Sequence, residues 1–229
     1  MLITCWSVKG GSGVSVVVAA LAGLMAERHG GAAVVDFGGD QPALLGLAEP
    51  TGPGALDWCG TDAEPDSLER LAVDVADGLR LLPRGDGPAL LGAARAEQLV
   101  GGLRQFAPVV VVDAGGPLVA SPPDDAPQQD PAADRAPGEW LRAAGSSLFV
   151  TRPCYLSMRR AVRIGVDADG VVLLTEPGRA LNRKDVGDLL GLPVVGVVEV
   201  DPAVARAVDA GTLLRRMPAS LTRGLRRAG

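Results

Sequence analysis

Residues 8–15 read Val8-Lys9-Gly10-Gly11-Ser12-Gly13-Val14-Ser15, a spacing of glycines, lysine and serine that suits a backbone wrapped around phosphate oxygens. In the common form of such a loop, G-x-x-x-x-G-K-[ST], glycines turn backbone N–H groups onto the phosphates. The lysine then reaches the β- and γ-phosphates, and the hydroxyl serves Mg²⁺. Here Gly13 is followed by Val14, which donates nothing, and only Ser15 remains of the final pair. A strand, a Gly-rich turn and a helix N-terminus still make an anion site without that cation. Losing the cation removes charge stabilisation where phosphoryl transfer accumulates charge, so hydrolysis is expected to suffer most. A Gly-rich turn whose binding role has decayed would contain the same residues.

Two carboxylate-bearing segments accompany the loop. Val34-Val35-Asp36-Phe37-Gly38-Gly39-Asp40-Gln41 places Asp36 and Asp40 just after an apolar run. Val109-Val110-Val111-Val112-Asp113-Ala114-Gly115-Gly116 is four β-branched residues ending in a carboxylate, the pattern of a strand that presents an aspartate to Mg²⁺. Asp and Gly also gather at strand ends as turn chemistry, which is the alternative for all three aspartates.

Lys-Gly-Gly-x-Gly-x-Ser, with its lysine at the start, resembles the deviant Walker A loop of the ParA/MinD family of dimerising ATPases. The resemblance implies that Lys9 reaches across a homodimer to the partner's nucleotide. Asp36 matches the first carboxylate of the family's D-x-D pattern. The second, which helps position the attacking water, falls on Gly38, and Asp40 lies two residues further on. The resemblance also implies ATP and Mg²⁺ as cofactors, with Lys9, Asp36 and Asp40 as the catalytic set. Lys9, Gly10, Gly11, Ser12, Gly13, Val14 and Ser15 would bind nucleotide, and Ser15, Asp36 and Asp113 the metal.

Later segments extend the likeness across most of the chain. Ser147–Pro153 followed by Ser157-Met158-Arg159-Arg160-Ala161 looks like the family's T-x-P strand and the helix after it. Leu173-Leu174-Thr175-Glu176-Pro177-Gly178-Arg179 looks like the stretch that approaches the adenine, so Thr175 and Pro177 join the nucleotide set. Gly196-Val197-Val198-Glu199-Val200-Asp201 is similar to the last strand and adenine loop, which adds Asp201, although Glu199 replaces the usual proline. The loss of one lysine with retention of the other most resembles the TadZ/CpaE-like branch, whose members position pili or septa.

The implied function is a spatial positioning or assembly factor with weak or absent ATP hydrolysis. Its expected partner is a protein of a pilus, secretion or cell-division assembly. An active ATPase switch, with Lys9 or Arg152 replacing the lost cation, is one alternative. A nucleotide-free scaffold is another, and a metabolic P-loop enzyme is the most distant.

The rest of the chain must position these loops. Its 229 residues, 47% of them apolar and 3% aromatic, suffice for one domain with a core of Val, Leu and Ala, which suits a buried parallel sheet. Strand-like runs at 2–7, 32–35, 79–82, 109–112, 147–150, 171–174 and 194–198 alternate with helical stretches at 15–29, 89–105, 156–164, 183–190 and 202–210. This rhythm predicts an α/β fold with a doubly wound, mostly parallel sheet flanked by helices, and the family resemblance narrows it to a SIMIBI-type P-loop NTPase. Residues 117–138 break the rhythm: six prolines and four aspartates against one arginine predict a flexible acidic surface loop that could bind a partner.

Charge and composition narrow the partners. A net charge of −5 speaks against nonspecific nucleic-acid binding. Only two of the 22 basic residues, Lys9 and Lys184, are lysines, so a lysine inside the Gly-rich loop stands out. Cys5, Cys59 and Cys154 are too far apart for a C-x-x-C metal or redox motif and suit reduced thiols in the cytoplasm. No leader is evident, and the longest apolar run, 14–26, is too short to span a bilayer. Residues 201–229 hold six arginines against two aspartates. With only Leu221 and Leu225 as anchors and Gly224 between them, direct membrane contact is not expected there, nor is DNA binding. A cytoplasmic protein recruited to a pole or to a membrane-associated complex is the resulting picture.

Overall fold

The apolar runs that lack strand alternation are the ones that vanish completely from solvent. In the computed structural model, which describes residues 1–87, 90–116 and 135–228, β1 (Leu2–Trp6) is buried on both faces. It leads through the Gly-rich loop into α1 (Val14–His29) and β2 (Ala32–Asp36). Two short helices follow, α2 (Gln41–Leu44) and α3 (Ala55–Cys59), then a 3-10 helix at Pro65–Leu71. A hairpin of β3 (Val73–Ala76) and β4 (Leu79–Leu82) precedes α4 (Ala93–Phe106) and β5 (Val109–Asp113). The second half runs α5 (Pro137–Ala144), β6 (Ser146–Thr151), α6 (Tyr155–Ile164), β7 (Gly170–Thr175), α7 (Arg183–Leu190) and β8 (Val194–Glu199). It closes with α8 (Pro202–Asp209) and α9 (Ala219–Leu225).

The described residues form one eight-stranded sheet in the order β3-β4-β2-β5-β1-β6-β7-β8. Only the β3–β4 pair is antiparallel; the rest are parallel and need helical crossovers. The chain winds from β1 toward β2 on one side, then crosses back past β1 to β6 on the other. In such sheets ligands bind where the winding reverses, outside the C-terminal strand ends, and here that place is the end of β1.

Successive strand residues feed opposite layers. Ile3, Cys5, Val34 and Val111 join Val17, Leu21 and Met25 of α1 in one core. Ala33, Val35, Val110 and Val112 meet Leu99 and Leu103 of α4 in the other, while Trp6, Phe149 and Val171 pack under α6 and α7. This two-sided burial explains why the strands read as continuous apolar runs. α1 ends where Gly30 takes φ 71°, a left-handed cap of the kind glycine supplies.

The doubly wound, mostly parallel α/β sheet expected from the sequence is the observed one, and the anticipated strands agree to within a residue or two. The short α2 and α3, the 3-10 helix, β3 and α5 have no counterpart among the anticipated elements, whereas α9 lies where a terminal helix over 219–227 is expected. The helix expected from residue 89 starts at Ala93. Residues 135–138, expected as the end of the acidic loop, belong to a bridge and a helix start instead. Arg135 forms a bridge with Leu91, and Pro137 opens α5, where its missing N–H and fixed φ suit the first helical turn. Residues 117–134 lie outside those described.

The C-terminal helix is packed into the body. Leu221 and Leu225 are buried in the α1 core, and Ser220 Oγ donates to Asp201 Oδ2 at 3.1 Å. Gly224, which looks like an interruption, lets α9 lie directly on β8: a Cβ there would run into the Val197 carbonyl. On a solvated helix, Gly224→Ala would add roughly 1 kcal/mol of stability. Packed as it is, the variant is expected to lose about 1–3 kcal/mol through overpacking, read as a lower urea midpoint at unchanged slope.

Candidate functional site

After β1 the backbone must turn back to start α1, and glycines at positive φ allow it: Gly11 at 73° and Gly13 at 89°. Ser12 Oγ donates to the Lys9 carbonyl at 2.7 Å and ties the turn together. The N–H groups of Gly10, Gly11, Gly13, Val14 and Ser15 meet no acceptor among the described residues. They gather at the N-terminus of a 16-residue helix with no acidic residue in its first turn, an arrangement that favours a bound anion. Gly13 has a second constraint, since a Cβ there would run into the Leu174 side chain of β7.

The loop forms one wall of a cleft of about 1000 Å³. Phe37, Gly38, Asp40 and α2 form the second wall, Ala114–Gly116 the floor, and Val208–Gly211, at the end of α8, the far side. Val14 lines this cleft yet is 7% exposed and belongs to the α1 core. Lys9 is half-buried with no ion-pair partner among the described residues. It is near the Cys154 thiol, whose pKa is lowered. Burial, which raises it, is outweighed there by hydrogen bonds with Ser157 and by the charges of Lys9 and Arg179.

The three aspartates divide sharply. Asp36 and Asp113 are paired in register at the ends of β2 and β5, and both are fully buried. Asp36 Oδ1 accepts from the N–H of Gly38 at 2.9 Å and of Gly39 at 2.7 Å, while Oδ2 accepts from Gln41 N–H at 3.1 Å. Burial first, and then the Asp113 charge, push its pKa up to about 6 against these N–H groups. Asp113 Oδ1 accepts from Gly115 N–H at 2.9 Å, and Oδ2 from Gln41 Nε2 at 2.7 Å. Its pKa is also raised, chiefly by burial, with Gln41, the Ser15 hydroxyl and Gly115 pulling the other way. Asp40 is exposed at the cleft mouth.

Phosphate and Mg²⁺ fit this site differently. The unpaired loop N–H groups suit phosphate oxygens. The metal's expected ligands are already engaged with one another and with the backbone: Asp36 by its own loop, and Asp113 by Gly115, Gln41 and the Ser15 hydroxyl. No group of three His, Cys, Asp or Glu suited to a metal occurs among the described residues. A divalent cation at Asp113 would have to displace the Gln41 amide or share the lone pairs that these hydrogen bonds leave.

The expected adenine-side residues are placed less uniformly. Asp201 borders a smaller groove of about 290 Å³ beside Gly13, with Leu174, Val198 and Val200. Its carboxylate caps α8 by accepting from Ala203 N–H at 2.8 Å. Thr175 leans toward the Val198 carbonyl at 3.5 Å, and neither it nor Pro177 lines the cleft or the groove. Arg152 pairs with Glu176 at 2.8 Å. Gln41 is the residue that sequence reasoning did not single out. Its only signal was a place after Asp40 and before Pro42, a helix start, and nothing local says that the side chain turns inward.

No family model matches the sequence, and no curated protein matches it. Solved structures share the fold. A ParA family ATPase from Chlorobium tepidum TLS superposes with a TM-score of 0.67 at 17% identity, over 98% of this chain and 96% of that one. MinD in the MinC:MinD cell division complex of Aquifex aeolicus gives 0.68 at 18%, over 100% and 96%. The septum site-determining protein MinD of Pyrococcus horikoshii OT3, complexed with Mg-ADP, gives 0.67 at 17%, over 99% and 93%. The chain thus shares the fold of these proteins, a mostly parallel sheet with flanking helices.

Asp36 makes the site's stability pH-dependent. Its folded pKa of about 6 lies above the ordinary 3.8, so between these values the folded chain keeps a proton that the unfolded chain has lost. The stability this contributes is full below about pH 4 and disappears as pH rises through about 6, by at most roughly 3 kcal/mol. Asp36→Asn, which cannot accept all three N–H groups, is expected to be destabilised at every pH. Its deficit relative to wild type should shrink from about pH 4 to 6 and then level off, as followed by urea unfolding.

Proposed function

We propose that this chain is a divergent ParA/MinD-like nucleotide-binding protein of the TadZ/CpaE type, acting as a spatial positioning or assembly factor. The reading rests on one observation. A Gly-rich loop at the sheet's winding reversal aims unpaired N–H groups into a nucleotide-sized cleft, yet an apolar Val14 stands where the phosphate cation would be. Binding by backbone dipoles survives that change, whereas transition-state charge goes unanswered. ATP is then a bound ligand, held weakly and hydrolysed slowly or not at all. Lys9, half-buried and without an ion pair, is free to meet a second copy's nucleotide across a homodimer. The partner is a protein of a pilus, secretion or cell-division assembly. Arg152 is committed to Glu176, which leaves an active-switch mechanism with Lys9 alone.

Calorimetric titration with ATP tests this reading. Wild type is expected to bind in the micromolar range with no measurable turnover, and Val14→Lys at least tenfold more tightly. Lys9→Ala should abolish nucleotide-dependent dimerisation in sedimentation experiments. Steady hydrolysis that Lys9→Ala removes would instead establish an active switch. Silence from both wild type and Val14→Lys would establish a scaffold that keeps only the fold.

A further inference from the structure

The Gln41 side chain bridges the Gly-rich loop and the β5 carboxylate, and it is fully buried. Its Nε2 donates to Asp113 Oδ2 at 2.7 Å and to the Ser15 carbonyl at 3.0 Å. The amide has a single workable orientation, because turning it over would set Oε1 against two acceptors. Oε1 itself is buried without a partner, an unfavourable state for an acceptor. The carboxamide is thus held by its donor end alone, against the negative charge of Asp113.

Position 38 completes the picture. A Cβ on Gly38 would lie 3.3 Å from Asp113 Oδ1 and 3.4 Å from Oδ2. A side-chain carboxylate at 38 would therefore crowd Asp113 with like charge unless a cation stood between them. Glycine removes that need. Asp36 spends its oxygens on three N–H groups, and each Asp113 oxygen already accepts a hydrogen bond, Oδ1 from Gly115 and Oδ2 from Gln41.

We propose that the Gln41 carboxamide is a built-in substitute for the divalent cation. It answers the Asp113 charge from within the protein, keeps Mg²⁺ out, and makes phosphate binding at the Gly-rich loop independent of metal. Gln41 acts through Asp113 and is a positioning residue. The nucleotide half of this inference rests on the reading of the cleft given above; the exclusion of metal does not.

The intact chain can be tested in two ways. Equilibrium dialysis of radiolabelled ATP against wild type, in Mg²⁺ or in EDTA, is expected to give affinities within twofold of each other. A tenfold or greater gain with Mg²⁺ would overturn the inference while leaving the nucleotide site standing. Manganese titration without nucleotide, followed by electron paramagnetic resonance, is expected to show no uptake by wild type at millimolar metal. Gln41→Ala should acquire a site at least tenfold tighter, and Asp113→Asn added to it should remove that site. Uptake by wild type that Asp113→Asn abolishes, or a folded Gln41→Ala that gains none, would overturn the inference. Should ATP bind under neither condition, the nucleotide reading fails and the manganese titration alone decides the role of Gln41. If Gln41→Ala does not fold, Gln41→Ser takes its place, and the wild-type titrations need no variant.

Discussion

Asp36 and Asp113 end neighbouring parallel strands in register, so the sheet itself forces two buried carboxylates together. Like charges in such surroundings raise each other's energy far more than they would in water. Hydrogen bonds relieve this, and their donors come from three loops. The turn after β2 folds back so that Gly38, Gly39 and Gln41 donate to Asp36. The turn after β5 brings Gly115 to Asp113, and the start of α1 brings the Ser15 hydroxyl. The three loops that wall the cleft are therefore placed by one electrostatic problem and its solution.

That solution also sets what the cleft can attract. Its fixed positive potential comes from loop N–H groups and the N-terminal end of α1, since Val14 contributes only to the core. Such a site holds phosphate in place without supplying a charge that grows along a reaction coordinate. Lys9 stands apart from the carboxylates, beside Cys154 at the start of α6. Under the proposed reading, the cleft is a better cradle than a catalyst.

Legibility in the sequence followed burial. Val109–Asp113 and Ala32–Asp36 were readable because two-sided burial leaves an unbroken apolar run, and the Gly-rich loop because its φ angles demand glycine. Residues 41–76 were not readable as elements: α2 and α3 are a turn or so long and carry no periodicity to detect. Gly224 looked like a helix breaker because its reason, contact with the Val197 carbonyl, lies on another strand. Arg135–Gly138 looked like part of a polar loop because its proline marks a helix start and a loop equally well.

The sequence by itself determined the parallel α/β sheet, the Gly-rich turn into α1 and the absence of a lysine after Gly13, since each depends on residues adjacent in the chain. Only the tertiary structure decided what the carboxylates bond to. Whether an aspartate faces a metal, a solvent-filled cleft or its own backbone depends on donors from loops far apart in sequence. Asp40 reached the cleft mouth, Asp36 was absorbed by its turn, and Asp113 was matched by Gln41, 72 residues away. Local chemistry names candidate ligands, but the hydrogen bonds that occupy or free them form only when the strands are laid side by side.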